Sequence, residues 1–208
     1  FGGTAFLLGI VAMVSVQYHY VMHKDMGYDT KGLVYINHSF SNPQNALTNL
    51  RNLPFVEGAE NASTRIMNPI KNLSVEDNNG NWKFTPRIHY ANEDFCKLIK
   101  LRLLAGKYHT RPGEIVVNPE LVELMDWTSD GIGEVIPNRG TVVGIVEFIE
   151  INKTKTSPYW IHWPENEEET SCVHVRLKEP IDENLLRLNE EMKKLYPQED
   201  ILFRPVED

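Results

Sequence analysis

The sequence is poor in cysteine, in positive charge and in the short motifs that mark catalytic sites. Cys96 and Cys172 are the only two cysteines in 208 residues. That is too few for a disulfide scaffold or a four-cysteine zinc site, and leaves open a single bridge between them. Lys and Arg number 21 against 29 Asp and Glu, a formal net charge of −8. No Lys/Arg cluster interrupts this acidic balance, which argues against the phosphate-neutralising surface of a nucleic-acid binder. Gly106-Lys107 has Leu101 where a phosphate-binding loop needs glycine, and Tyr108 follows it, so no ATP loop of that type is present. Gly131-Ile132-Gly133 lacks the third glycine and the preceding strand of a dinucleotide loop, and HExxH, CxxC and GxSxG are absent.

What remains is ordinary globular material, 41% hydrophobic and 24% charged, which excludes bulk disorder and suits one domain or two small ones. The apolar content is unevenly placed. Phe1 to Val16 reads FGGTAFLLGIVAMVSV without a charge, and nothing comparable follows Asp25. At about 1.5 Å per residue this stretch makes roughly 24 Å of helix, short of a ~30 Å hydrocarbon core. A signal peptide would need a basic start and a small-residue cleavage site. A core helix apolar on all sides would be unusual at the edge of so polar a chain. The reading that fits best is the end of a transmembrane helix that begins before Phe1 in a longer polypeptide, with Tyr18 and Tyr20 at the membrane–water boundary.

Beyond a turn-rich MGYDTKG segment, a short β-type run Leu33–Ile36 leads to a helix start at Ser41-Asn42-Pro43, a capping side chain followed by a first-turn proline. Ala46, Leu47, Leu50 and Leu53 keep the helical period, Pro54 ends it, and Val56–Thr64 reads as a second strand. The pattern returns near the C-terminus. Cys172, His174 and Arg176 alternate with Val173, Val175 and Leu177 as in a half-buried strand. Asp182 stands as a cap, and Ile181, Leu185, Leu188, Met192 and Leu195 form one apolar stripe up to Pro197. Ile201–Phe203 reads as a last strand. Between these units lie a hairpin around Asn78-Asn79-Gly80-Asn81, a helix over 92–101, a strand Glu114–Asn118, a short helix Pro119–Trp127, and a strand Thr141–Phe148 with Gly144 at a bulge or close packing point. The expected fold is α+β: a split ferredoxin-like βαβ…βαβ subdomain (24–65 and 171–208) with an inserted mixed α/β subdomain (66–170), preceded by the end of a transmembrane helix and stalk (1–23).

Chemistry is sparse. His19 and His23 are spaced for one helical face, but two ligands fall short of a zinc site. Tyr159, Trp160, His162 and Trp163 form an aromatic group between Pro158 and Pro164. It is either a surface contact for a lipid or partner, with Tyr159, Trp160 and Trp163 as candidates, or a loop packed onto the domain. Asp94, Glu114 and Glu147 show no pairing by spacing, so no general acid/base pair emerges. Asn37, Asn61, Asn72 and Asn152 each open an N-x-Ser/Thr triplet, of consequence only in a eukaryotic secretory route.

Four segments carry a resemblance. ANEDFCKLIKLRLLAGKYH (Ala91–His109) resembles the Asp-x-x-Phe…Leu-x-Leu-x-x-Gly-Arg-x-Phe segment of the MacB-like periplasmic core domain in FtsX-like ABC transporter permeases. It matches at Phe95, Leu101, Leu103 and Gly106, with Asn92, Lys107 and His109 at the variant positions. EIVVNPELVELMDW (Glu114–Trp127) is similar to that family's strand, Asn-Glu, short helix and Gly-Trp, with Pro119 and Asp126 differing. TVVGIVEF (Thr141–Phe148) is similar to its Val-Val-Gly strand, with Glu147 and Phe148 one residue early. KDMGYDTKGLVYIN (Lys24–Asn37) resembles the lead-in from the transmembrane helix to the first strand.

The resemblance implies a role and no reaction. The domain would face the periplasm from the bacterial inner membrane, in a permease dimer partnered by a cytoplasmic ABC ATPase that holds the nucleotide. It would pass ATP-driven motion to efflux, lipoprotein release or enzyme control. No catalytic residue, metal or cofactor of its own is implied. Gln17, Tyr18, Tyr20 and His23 are then candidates for a coupling stalk. The competing readings are a membrane-anchored ligand-binding or sensor domain and an anchored enzyme with a dispersed site.

Overall fold

The computed structural model describes Ile10, Met13 and residues 25–66, 68–70, 74–76, 82–127, 129–148, 157–165 and 169–206. In chain order the first elements are β1 (Leu33–Asn37), α1 (Pro43–Arg51), β2 (Val56–Ala62), β3 (Val75–Glu76), β4 (Trp82–Phe84), β5 (Arg87–Tyr90), α2 (Glu93–Leu98) and β6 (Arg102–Gly106). There follow β7 (Glu114–Val117), α3 (Pro119–Leu124), β8 (Val135–Ile136), β9 (Gly140–Glu147), β10 (Tyr159–His162), β11 (Cys172–Leu177), α4 (Ile181–Leu195) and β12 (Arg204–Pro205).

The two strand–helix–strand units interleave. They form a 4-stranded sheet in the order β12-β1-β11-β2, antiparallel at every pairing. Each crossover leaves a gap one strand wide, and a strand of the other unit fills it, which is the ferredoxin-like arrangement. A 6-stranded mixed sheet, β5-β10-β7-β9-β6 with β8 added on β9, is built wholly from the intervening residues. β3 and β4 pair as the expected hairpin, while its turn Asn78–Asn81 lies outside the described residues.

Asparagine side chains start three of the helices. Asn42 Oδ1 accepts from Asn45 N at 3.0 Å, and Asn92 Oδ1 from Phe95 N at 2.8 Å. Asn118 Oδ1 accepts from Leu121 N and from Tyr159 N, and its amide donates to Ser157 O. One side chain therefore caps α3 and stitches β7 to β10. α4 departs from expectation. It starts after Pro180, without a side-chain cap, and Asp182 sits in its first turn, where it still suits the helix dipole. The last strand forms at Arg204–Pro205, while Ile201 and Phe203 are buried in the core beneath the helices.

Three apolar cores hold the molecule. Leu47, Leu50, Leu188 and Met192 pack on Val34, Ile36, Ala59, Val173 and Val175. A second core draws on both sheets and α2, through Leu33, Ala62, Phe95, Ile99, Val116, Val146 and Tyr159. The third gathers Leu121, Ile115, Val117, Val142 and Trp160. β11 corrects its half-buried reading, because all of its residues are buried. Its valine face meets the helices, and its Cys172, His174 and Arg176 face meets the second sheet.

Candidate functional site

The described residue nearest the apolar N-terminal stretch in continuous chain is Asp25, and from there to Gly32 the backbone forms two consecutive Asx turns. Asp25 Oδ1 accepts from Gly27 N and Asp29 Oδ1 from Lys31 N, both at 2.9 Å. Gly27 has φ +78, and a Cβ there would overlap the Glu147 carbonyl, so only glycine lets the turn settle on β9. Met26 and Tyr28 are buried, with the Tyr28 ring stacked on Phe148 at 5.1 Å.

Both sheets grip this turn. From the second sheet, the Arg102 amide donates to Gly27 O at 2.6 Å, and its guanidinium bridges Asp25 and Glu147. Asp29 N donates to Ile99 O at 2.8 Å, and Lys100 reaches Asp29 at 3.0 Å. From the first sheet comes Arg176, 2% exposed. Its Nη1 donates to Lys31 O at 2.6 Å and Asp29 Oδ2 at 3.3 Å, its Nη2 to Asp29 O at 2.6 Å, and its Nε to Leu98 O at 2.8 Å. One guanidinium thus joins β11, the N-terminal turn and the end of α2, with most of its rigid fork of donors satisfied. Burial pulls the Arg176 pKa down, against the pull of Asp29 and Glu57. Burial pushes Asp29 up, but Lys100, the Lys31 amide and Arg176 together hold it below the ordinary carboxylate value. The last described residues lie beside the turn, since Val206 N donates to Leu33 O at 3.0 Å. The groups of the turn are paired with opposite charges and tied to backbone.

The sequence candidates fall elsewhere. Gln17, Tyr18, His19, Tyr20 and His23 lie outside the described residues. Ile10 and Met13, within the apolar stretch, are 44% and 65% exposed, so neither is packed into the core. No helix among the described residues is long and apolar enough to cross a membrane. Tyr159 and Trp160 are fully buried, which corrects their reading as surface contacts: they alternate on a central strand and fill two different cores. Trp163 is half-buried, its ring 6.0 Å from that of His109. Asp94 pairs with Lys97, Glu147 with Arg102, and Glu114 with Lys107 and Arg111. None of these carboxylates faces another as an acid/base couple. Cys96 and Cys172 are free buried thiols, both pushed up by burial, Cys172 to about 12. No group of three metal-ligating side chains occurs among the described residues. Arg176 escaped sequence reasoning; its signal was an arginine alternating with valines in a strand with no predicted partner for its charge.

No protein-family model matches the sequence, and no curated protein does. Solved structures match in fold. The periplasmic region of MacB from Actinobacillus actinomycetemcomitans superimposes with a TM-score of 0.58 at 11% identity, covering 90% of this chain and 94% of that one. The extracellular domain of the noncanonic ABC-type transporter YknZ from Gram-positive bacteria gives 0.55 at 10% identity, over 83% and 97%. A domain of a putative permease protein from Porphyromonas gingivalis gives 0.52 at 16% identity, over 83% and 86%. The chain therefore has the fold of the MacB-type periplasmic domain.

Proposed function

We propose that this chain is the extracytoplasmic domain of an ABC transporter permease and that it turns motion of a membrane helix into rearrangement outside the membrane. The observation that carries the reading is the clamped turn Asp25–Gly32. A segment bonded through Arg102 and Arg176 to both sheets passes displacement to the whole domain, where a flexible lead-in would absorb it. The shared fold with MacB and YknZ domains supports the same reading. On it, the residues before Asp25 form the membrane anchor and the stalk of Gln17, Tyr18, Tyr20 and His23. The permease works as a dimer in the bacterial inner membrane with a cytoplasmic ATPase, and the domain itself performs no catalysis.

The test uses the full-length membrane protein. An ABC ATPase should co-purify with it. A Gly-Gly insertion after Tyr20 should leave the domain folded and the ATPase active while abolishing the transport or release that hydrolysis drives. Wild-type export by the insertion variant would refute the coupling role. Absence of any ATPase partner would favour a membrane-anchored sensor domain instead.

A further inference from the structure

Residues 63–66 carry the chain out of β2 toward the second sheet, and two fully buried histidines hold consecutive backbone groups of that crossing. His174, on β11 of the first sheet, lies with Nε2 3.2 Å from the Ile66 amide. His89, on β5 of the second sheet, lies with Nε2 3.3 Å from Arg65 O and Nδ1 3.0 Å from the Tyr159 hydroxyl. The Phe95 ring stands between them, 5.0 Å from His174 and 6.5 Å from His89. We propose that this histidine pair is a proton-sensitive lock on the joint between the two sheets, with His174 as the titrating element.

The two imidazoles are not equivalent. An amide N–H can only donate, so Nε2 of His174 must be the unprotonated nitrogen and the ring proton sits on Nδ1. That Nδ1 is buried without a well-formed hydrogen bond among the described residues, and the Cys172 backbone beside the ring, which favours the charged form, is outweighed by burial. Protonating His174 would set a second N–H against the Ile66 N–H and break the bond. His89 donates from Nε2, and a protonated Nδ1 would still find the Tyr159 oxygen once its hydroxyl turned, so its contacts survive a charge. The other polar groups facing the pair are Cys172, with Sγ 4.0 Å from His174 Nε2, and Tyr35, whose ring lies 6.4 Å from that of His174. Arg65 stacks over Tyr35 at 5.2 Å. No carboxylate is hydrogen-bonded to either ring among the described residues, so no counter-ion bonded to it would hold a second proton in place. Burial, before the mutual repulsion of the pair, keeps His174 neutral down to about 3, and burial keeps His89 neutral to about 4.

The sign follows. Both histidines are depressed relative to the unfolded value, so an opened joint binds more protons than a closed one and acid favours opening below about pH 6.5. Amide hydrogen exchange on the whole chain reads this directly. The Ile66 protection factor should fall by at least about tenfold per pH unit between pH 6.5 and 4.5, while Val117 and Val175, in the centres of the two sheets, stay protected. His174→Gln supplies an acceptor that does not titrate and should remove about one factor of ten per unit from that slope. If the variant does not fold, the order of loss in the wild-type chain decides. Loss of Ile66 protection in step with Val117 and Val175, no response to acid, or an unchanged slope in a folded His174→Gln chain would each overturn the lock.

Discussion

Glu114 gathers four donors on one carboxylate: Lys107 Nζ at 3.2 Å and Arg111 Nε at 3.1 Å on Oε1, Thr110 N at 2.9 Å and Thr110 Oγ1 at 3.2 Å on Oε2. The Thr110 amide above all, with Lys107 and the Thr110 hydroxyl, holds its pKa at about 2. A depressed carboxylate stabilises the fold fully above its unfolded value, near 4.5, and loses that contribution as pH falls toward 2. Glu114→Gln should therefore cost about 1–3 kcal/mol at pH 7 by urea denaturation. The gap to wild type should narrow as pH drops from 5 to 3; a gap independent of pH would show that packing, and not charge, is what Glu114 supplies. At this scale the sequence was only partly readable. It showed three carboxylates without partners because those partners come from turns and strand pairings that spacing does not encode. Gly144 was readable as a special position, and the reason is now specific: it faces Gly106 across β6 and β9, and a Cβ would overlap Lys107 O.

Among elements, the helices were the most legible, since capping asparagines and apolar stripes are local signals. The short strands β5, β6 and β10 were not, because their burial is set by neighbours distant in sequence. β11 shows the difference most clearly. Its alternation VHVRL is what a half-exposed strand also displays, and only the presence of a second sheet turns its polar face inward. Arg176 is the consequence. Its removal strands Asp29 O, Lys31 O and Leu98 O without their donor and leaves the Asp29 carboxylate short of a partner. Arg176→Met should destabilise the domain by about 3–5 kcal/mol, measured by chemical denaturation. Arg176→Lys should recover only a minor part, because an ammonium cannot fork to three carbonyls. A Met variant within about 0.5 kcal/mol of wild type would mean that Arg102 and Lys100 hold the turn unaided.

For the whole molecule, the split topology was legible because each βαβ unit carries its own local pattern, and a gap-filling partner was required by both. Less legible was how the halves depend on what lies between them. Ala62 of β2 pairs directly with Cys172 of β11, so an Asn-Gly turn between residues 65 and 171 would close an ordinary ferredoxin-like chain with no strain in reach. Geometry thus permits excision of 66–170. Energetics argues against it, because the face bearing Leu33, Ala62, Cys172, His174 and Arg176 would lose Phe95, Ile99, Leu98 O and the second sheet at once. Exposed apolar area of that size, with one of the four hydrogen bonds of the Arg176 guanidinium lost, removes several kcal/mol from a domain whose net stability is only about 5–15 kcal/mol. The excised chain (25–65 joined to 171–206) should show no cooperative thermal transition and should aggregate. The same chain with Leu33, Ala62 and Cys172 replaced by Thr and His174 by Lys, but with Arg176 kept on Asp29 and Lys31, should regain one. Cooperative melting of the unmodified excised chain would mean that the ferredoxin-like sheet is an autonomous domain to which the inserted sheet is merely attached.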